Sequence, residues 1–151
     1  TDAPSKGNSE GIFGFGYTGS NTAVTNLVSN VGVVASDTSG VGTARYTPAA
    51  ATYGTDKAIF GYGYSSGNVS LTNLVNSSGV VAADVTGVGT ARDRLAAASY
   101  GGDKAIFAYG NSGSSVSMSN LVNSSGVVAT DVSGVGTVRD QLAAAGYSIS
   151  A

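Results

Sequence analysis

Acidic and basic residues that recur at a fixed spacing are the first candidates for chemistry in this chain. They form two sets spaced 47 residues apart, Asp37, Asp84 and Asp131, and Arg45, Arg92 and Arg139. An Asp with an Arg can serve as a catalytic pair, but a catalytic pair is normally needed only once. The recurrence of Asp84 with Arg92 therefore favours a structural role. Either a partly buried ion pair or a carboxylate that accepts turn N–H bonds would fit this role.

Two more polar sets recur at the same spacing. One comprises Tyr53, Tyr100 and Tyr147, and the other comprises Asn26, Asn73 and Asn120. The tyrosines are expected to pack at strand ends with each hydroxyl on a turn carbonyl, and stacking on a sugar is the alternative. The asparagines are expected to bond neighbouring backbone, and the alternative is a ring of amides that lines a central channel.

The remaining acids and the glycine-rich strings offer little for catalysis. Asp93 and Asp140 recur in two copies only, Tyr46 takes their place in the first, and both acids are predicted to be loop acids or turn formers. The string GVGT at Gly40 lacks the GK[ST] ending of a phosphate-binding loop. The chain has no His and no Cys, which removes imidazole bases, thiolate nucleophiles and the usual zinc sites. We therefore predict no catalytic residue, no bound metal, no cofactor and no enzyme activity.

Charge and hydropathy argue against two classes of partner. Charged residues make up 11% of the chain, against about 25% in average globular proteins, and the net charge is −2. No basic stripe would attract a phosphate backbone, so we predict no nucleic-acid partner. No apolar run approaches the length of about 18 residues that a membrane span needs, so we predict no membrane partner. A surface rich in Ser, Thr, Gly and Asn is common in extracellular or virion-exposed proteins, and this favours such a location.

One phrase occurs three times and organises the chain. TDKAIFGYG at 55–63 returns as GDKAIFAYG at 102–110 and has a shorter counterpart, SEGIFGFG, at 9–16. The chain aligns with itself without gaps at an offset of 47 residues, which indicates a solenoid, a propeller or an array. Within one period the pattern predicts four strands, at 95–100, 104–110, 116–123 and 127–132. Four short antiparallel strands per repeat are typical of one blade of a β-propeller.

The order of features within a repeat resembles that of the kelch-type β-propeller. An Arg precedes a small-residue strand, which is followed by a turn, an IFxYG strand, a third strand and a fourth strand that contains Asp. The resemblance implies an all-β fold in which the Ile and Phe of the second strand fill the space between blades and its Gly permits close backbone approach. The chain departs from the kelch pattern in having a single Gly after Tyr62 and no Trp. Such strings also resemble those of phage and environmental viral proteins.

The chain holds three repeats, and its two ends fall at different points of the repeat. After a polar tail at 1–10, the part from 11 to 151 begins with a second strand and ends with a first strand at 142–149. Three blades are too few for a ring, since propellers have about four to eight. We therefore predict that two chains join head to tail as a six-bladed homodimer, the strand at 142–149 of one completing the blade that 12–17 begins in the other. A fragment of a longer propeller and an open array in a fibre are the alternatives.

The copies differ most in the loop between their second and third strands. These loops read YTGSN at 17–21, YSSGN at 64–68 and NSGSS at 111–115. Drift in an exposed turn is one explanation. The other makes the loops a ligand face, with Tyr17 and Tyr64 as stacking platforms and Asn21, Asn68 and Asn111 as polar contacts.

Together these features predict a binding or structural module without catalytic activity. Its loops would contact a protein or a glycan, and its other partner would be a second copy of itself. The alternative is a multivalent lectin with one sugar site per blade or blade interface.

Overall fold

The structure is a computed structural model that describes residues 9–147, and these residues form three small antiparallel sheets. The strands are β1 Gly11–Tyr17, β2 Asn21–Val28, β3 Ala49–Tyr53, β4 Lys57–Gly61, β5 Thr72–Val75, β6 Ala96–Tyr100, β7 Lys104–Ala108 and β8 Ser119–Val122. Sheet 1 pairs β1 with β2, sheet 2 has the order β3-β4-β5, and sheet 3 has the order β6-β7-β8. No helix occurs in the described residues, so none there is long and apolar enough to cross a membrane. The predicted all-β class is confirmed, and the three sheets do not close into a ring within 9–147.

Sheets 2 and 3 repeat one meander in the same register. Ile59 of β4 lies opposite Ala51 in β3 and Leu74 in β5. Sheet 3 contains the same pairs one repeat later, for example Ile106 opposite Leu121. The small residues of each first strand leave room for the larger β-branched and aromatic side chains of each second strand. The first three strands predicted for this repeat are therefore confirmed, with shorter bounds.

The fourth strand predicted at 127–132 is wrong in its extent. Only Val128 and Val132 form isolated bridges to β8, and no continuous strand forms. A side-chain bond replaces part of the backbone hydrogen bonding between this segment and β8. The Asn120 amide donates to the Ala129 carbonyl at 3.1 Å. The expectation that this set of asparagines bonds neighbouring backbone is confirmed.

The C-terminal first strand predicted at 142–149 does not form in the single chain. Residues 142–147 are irregular, and 148–149 lie outside the described residues. A first strand pairs with the second strand that follows it, and no second strand follows within 9–147. Sheet 1 has only two strands for the complementary reason, since no first strand precedes β1 in the described part. The predicted polar tail at 1–10 lies mostly outside that part.

Aromatic rings of one repeat pack on glycines of the preceding repeat. The Phe107 side chain is 0% exposed, and a Cβ added to Gly61 would lie 2.7 Å from its ring. At Gly63 the close neighbour is backbone and not a ring, because a Cβ there would lie 2.8 Å from the Tyr46 carbonyl oxygen. The expected packing of Phe between repeats and the expected close backbone approach at glycine are both confirmed.

Replacing Gly61 by alanine should lower the free energy of unfolding by about 1–3 kcal/mol, because the new methyl group overpacks the Phe107 ring. The measurement is chemical denaturation followed by circular dichroism. The matched control is Gly67→Ala, since nothing lies within 4 Å of a Cβ added at Gly67. Equal unfolding midpoints for the two variants would contradict the proposed packing.

A bulge at the end of each second strand turns one aromatic ring away from the strand. Phe15, Tyr62 and Tyr109 have left-handed backbone angles, with φ of 63°, 62° and 63°. In sheet 1 the register shifts at the same point, between Gly14 and Gly16. Non-glycine residues in this region are strained by about 1–3 kcal/mol, so three occurrences indicate that the ring positions are needed.

Candidate functional site

The rings turned out by the bulges support a buried arginine at each junction between repeats. Arg45 and Arg92 are both 0% exposed, and the Arg92 guanidinium lies 4.4 Å from the centre of the Tyr62 ring. The Arg92 Nε donates to the Tyr109 carbonyl at 2.8 Å, and its Nη1 donates to the Thr90 carbonyl at 3.1 Å. Each arginine thus connects the bulge of one sheet to the bulge of the next.

A carboxylate on the fourth segment completes each junction. Asp131 accepts hydrogen bonds from the Thr90 backbone N–H at 3.1 Å and from the Thr90 hydroxyl at 2.6 Å. The Asn120 amide donates to the same carboxylate at 2.9 Å. Asp84 accepts the equivalent bonds from Thr43 one repeat earlier. The prediction that these carboxylates accept turn N–H bonds is confirmed.

The predicted pairing of Asp84 with Arg92 is wrong. Asp84 instead interacts with Arg45, the arginine of the preceding junction, while Arg92 interacts with Asp131. The physical reason is the path of the chain. The GVGT turn and the arginine after it reach forward to the next sheet, so each arginine meets the carboxylate of that sheet.

The junctions hold their charges in fixed states at neutral pH. Burial lowers the pKa of Arg45 from its ordinary value to about 10, and attraction to Asp84 opposes part of this change. For Asp84, burial acts to raise the pKa, but hydrogen bonds from Thr43 and Asn73 and the charge of Arg45 together hold it below its usual value. The same balance lowers the pKa of Asp131. These groups are suited to holding structure and not to proton transfer near neutral pH.

Acid should destabilise the fold through the two junction carboxylates. Their folded-state pKa lies below the ordinary value of 3.8, so their stabilising contribution is present above that pH and is lost progressively below it. The Asp84→Asn, Asp131→Asn double variant should show a lower unfolding midpoint at pH 7 and a shallower further loss on acidification. The control is Asp103→Asn, because the Asp103 carboxylate lies in the turn before β7, outside the junctions, and is 38% exposed. A double variant with the parent's acid dependence would contradict this role.

A row of three tyrosines lies on the loop face of repeats one and two. Tyr17, Tyr46 and Tyr64 stand side by side, with neighbouring ring centres 5.7 Å and 5.4 Å apart. Paired backbone bonds between Tyr46 and Tyr64, at 3.0 Å and 2.9 Å, fix the backbone that carries two of the rings. Tyr17 is 65% exposed, and the other two are half-buried. The row therefore offers ordered ring surface and hydroxyl groups to a ligand.

The asparagines predicted as site residues lie near this row, and their side chains are used within the fold. The Asn21 amide donates to the Ser65 carbonyl at 2.8 Å, and the Asn68 amide donates to the Asn111 carbonyl at 2.9 Å. The Asn111 side-chain oxygen accepts from the Gly113 backbone at 2.9 Å. The bonds of Asn21 and Asn68 position each loop against the next repeat, and the bond of Asn111 lies within its own loop.

Tyr46 belongs to the row although the comparison of loops did not select it. It lies in the segment before β3 and reaches the row through its bridge to Tyr64. The available signal was the difference between copies, since Asp93 and Asp140 stand at this position in the later repeats. There, Arg94 lies 3.3 Å from the Asp93 carboxylate and 3.6 Å from that of Asp140. Asp93 is buried, unlike a solvated loop acid, and the aromatic row gives way to a charged cluster.

The recurring strand-end tyrosines become more exposed along the chain. Tyr53 is 4% exposed, Tyr100 is 40% exposed and Tyr147 is 90% exposed. The Tyr53 ring packs beside Gly126, where an added Cβ would lie 2.9 Å from the ring, and Leu74 lines the same place. The expected strand-end packing is therefore confirmed at Tyr53, where the next repeat covers the ring. The expected bond from the hydroxyl to a turn carbonyl is wrong for Tyr53 and Tyr100 in the described chain, since the tyrosine hydroxyls that reach such carbonyls are those of Tyr62 and Tyr109.

Residues 9–147 contain no group of three or more His, Cys, Asp or Glu side chains that could hold a metal ion. No protein-family model matches the chain, and no curated protein matches its sequence. The function is therefore inferred from the geometry of the chain's own residues.

Proposed function

We propose that the chain is a non-enzymatic binding module whose contact surface is the row of Tyr17, Tyr46 and Tyr64. The row carries the proposal, because three neighbouring rings are held in place by backbone and amide bonds between repeats. Tyrosine suits contact surfaces because it combines a large rigid face with a polar end. Rings that are ordered before binding also reduce its entropic cost.

The architecture that we propose around this surface is a kelch-like β-propeller with four-stranded blades. Its support is the meander order of sheets 2 and 3, the recurrence at 47 residues, and the packing of Phe107 of one sheet on Gly61 of the preceding sheet. With three repeats per chain, two copies joined head to tail would complete a six-bladed ring.

A lectin is the second candidate function, and the exposed face of Tyr17 favours it. A sugar ring can lay its apolar C–H face on such a ring while hydroxyl groups bond the tyrosine oxygens and nearby backbone. The position of the tyrosine row lowers the expected number of sugar sites. Because Asp93 and Asn111 replace the aromatic residues in the later repeat, the row supplies one site per chain and not one per blade.

Replacing Tyr17 and Tyr46 together by alanine should weaken ligand binding about tenfold or more, since each stacked ring contributes on the order of 1 kcal/mol. The measurement is a glycan array followed by titration of any sugar bound by the parent chain. The control is Val80→Ala, which removes an equally exposed apolar side chain, 61% exposed, outside the row. Undiminished binding by the double variant would overturn the assigned surface. A parent chain that bound no sugar would exclude the lectin.

A further inference from the structure

The two internal junctions of this chain show what a complete contact between repeats contains. A threonine of the GVGT turn donates to an Asp of the next sheet, as Thr90 does to Asp131. The following arginine donates to the carbonyl at the next sheet's bulge, as Arg92 does to Tyr109. The chain then enters the first strand of that sheet.

The C-terminal segment 134–147 carries the donor half of a third such junction. Thr137 and Arg139 occupy the positions of Thr90 and Arg92. The Arg139 guanidinium already lies 4.0 Å from the Tyr109 ring centre, and its Nη1 donates to the Thr137 carbonyl at 3.0 Å. Within 9–147, neither the Arg139 Nε nor the Thr137 N–H and hydroxyl has an acceptor, so the donors are set in place without the next sheet.

Sheet 1 carries the matching acceptor half. Asp37 is the counterpart of Asp131 and already receives the Asn26 amide at 2.8 Å, but no threonine of the described chain bonds it. Phe15 is the counterpart of Tyr109 and has the same left-handed backbone angle. Within residues 9–147 no strand pairs with the edge of β1 that would receive a first strand, because sheet 1 there has the order β1-β2. The negative charge of Asp37 also complements the positive charge of Arg139.

A cleft beside sheet 1 lies where the side chain of Tyr147, the last residue of segment 134–147, would be placed by the repeat. The cleft has a volume of about 230 Å³, and its lining includes Glu10, Leu27 and Gly79. One repeat later, the place between the equivalent residues Leu74 and Gly126 is filled by the buried ring of Tyr53. Tyr147 is the equivalent of Tyr53 and is 90% exposed in the single chain.

We propose that segment 134–147 of one copy seats on sheet 1 of a second copy of this chain. Thr137 and Arg139 bond Asp37 and the Phe15 carbonyl of the second copy, and the Tyr147 ring enters its cleft. The pairs Ala49↔Gly61 and Tyr53↔Lys57 set the register. By the same offset, Ala143 pairs with Gly14 and Tyr147 with Glu10. Only the number of copies, two in a closed ring, rests on the proposed six-bladed architecture.

The new junction differs from the internal ones at one position. Phe13, 64% exposed, is the counterpart of Phe60 and Phe107, whose rings pack on glycine. In the new junction the Phe13 ring faces Ala108, whose methyl group occupies the space that Gly61 leaves open. The contact between copies is therefore weaker than the contacts within a chain. Ala108→Gly should tighten it about tenfold, measured as the dissociation constant on dilution.

Mixing two single-cysteine chains tests the proposed register directly. The natural chain has no Cys, so a disulfide can join only introduced residues. Gly11 and Gly146 are opposite in the proposed register, and their equivalents Ala58 and Thr52 are a directly opposed pair that already carries side chains. Oxidising Gly11→Cys chains with Gly146→Cys chains should give a covalent heterodimer. The control is Thr18→Cys mixed with Gly146→Cys, because Thr18 lies in the turn beyond the far end of β1.

Light scattering of the parent and of Arg139→Ala gives the second readout. We expect a species of twice the 14.7 kDa chain mass for the parent and a shift towards the single chain for the variant. A monomeric parent, or a β1 edge covered by residues 1–8 so that no specific heterodimer forms, would overturn the proposal. Crosslinked chains in long open assemblies would support the contact and overturn the closed ring. Ligand binding by the tyrosine row is scored separately, so either proposal can fail alone.

Discussion

Replacing Arg92 by alanine is expected to lower the free energy of unfolding by about 3–5 kcal/mol. The substitution leaves the Tyr109 and Thr90 carbonyls without their donor in a buried place, and each such loss costs about 1–3 kcal/mol. It also removes the guanidinium that packs 4.4 Å from the Tyr62 ring centre. Chemical denaturation followed by circular dichroism measures the effect.

The repeat supplies a matched control for this substitution. Arg139 occupies the same position at the exposed end, where its side chain keeps only the Thr137 carbonyl and the Tyr109 ring as partners in the described chain. Arg139→Ala should therefore leave the unfolding of dilute single chains nearly unchanged. Arg92→Lys keeps the charge but loses the planar fork, and should fall between the parent and Arg92→Ala. Similar losses for the alanine variants at Arg92 and Arg139 in dilute solution would contradict the junction role.

Replacing Phe107 by alanine should cost about 3–5 kcal/mol as well, through a cavity and not through lost hydrogen bonds. The ring is 0% exposed, packs edge-on to Tyr62 with centres 5.2 Å apart, and fills the space beside Gly61. Its loss leaves a cavity between sheets 2 and 3. Thermal and denaturant unfolding should both show the change, with a lower transition for these two sheets.

Two controls distinguish the cavity from a general loss of apolar surface. Val127→Ala in the same repeat removes a side chain that is 61% exposed and should change stability by less than about 0.5 kcal/mol. Phe107→Leu keeps most of the volume and should recover much of the loss. A Phe107→Leu variant as unstable as Phe107→Ala would show that the edge contact with Tyr62, and not the filled volume, is decisive.

The repeat period predicted the all-β class and the three strands each of sheets 2 and 3, because the same local signals recur at each copy. The Ala-rich stretch before Tyr100, the turn at Gly101 and the KAIFA string specify two strands by propensity and turn chemistry alone. The extent of a strand at 127–132 was overestimated because VVATDV has the composition of a strand. Whether the segment forms a continuous strand depends on the bond from the Asn120 amide, which no local pattern reveals.

The sequence predicted only part of the candidate site. The residue that it missed is placed there by contacts between segments far apart in sequence. The divergence between loops pointed to Tyr17 and Tyr64, which do stand in one row. Tyr46 was missed because its place beside Tyr64 arises from pairing between segments that are separate in sequence. The same limit explains why Asp84 was paired with the nearby Arg92, whereas the fold brings it to Arg45.

The single tyrosine row in the described part of each chain has a consequence for valency. In the proposed ring of two copies, the two-fold axis would place the two rows half a turn apart around the ring, and each row is followed by the charged cluster that contains Asp93 and Arg94. If the rows bind ligand as proposed, such a particle would be bivalent, with a spacing set by the diameter of the ring. A ligand that repeats at that spacing would be held by avidity, far more tightly than a single copy of its binding unit.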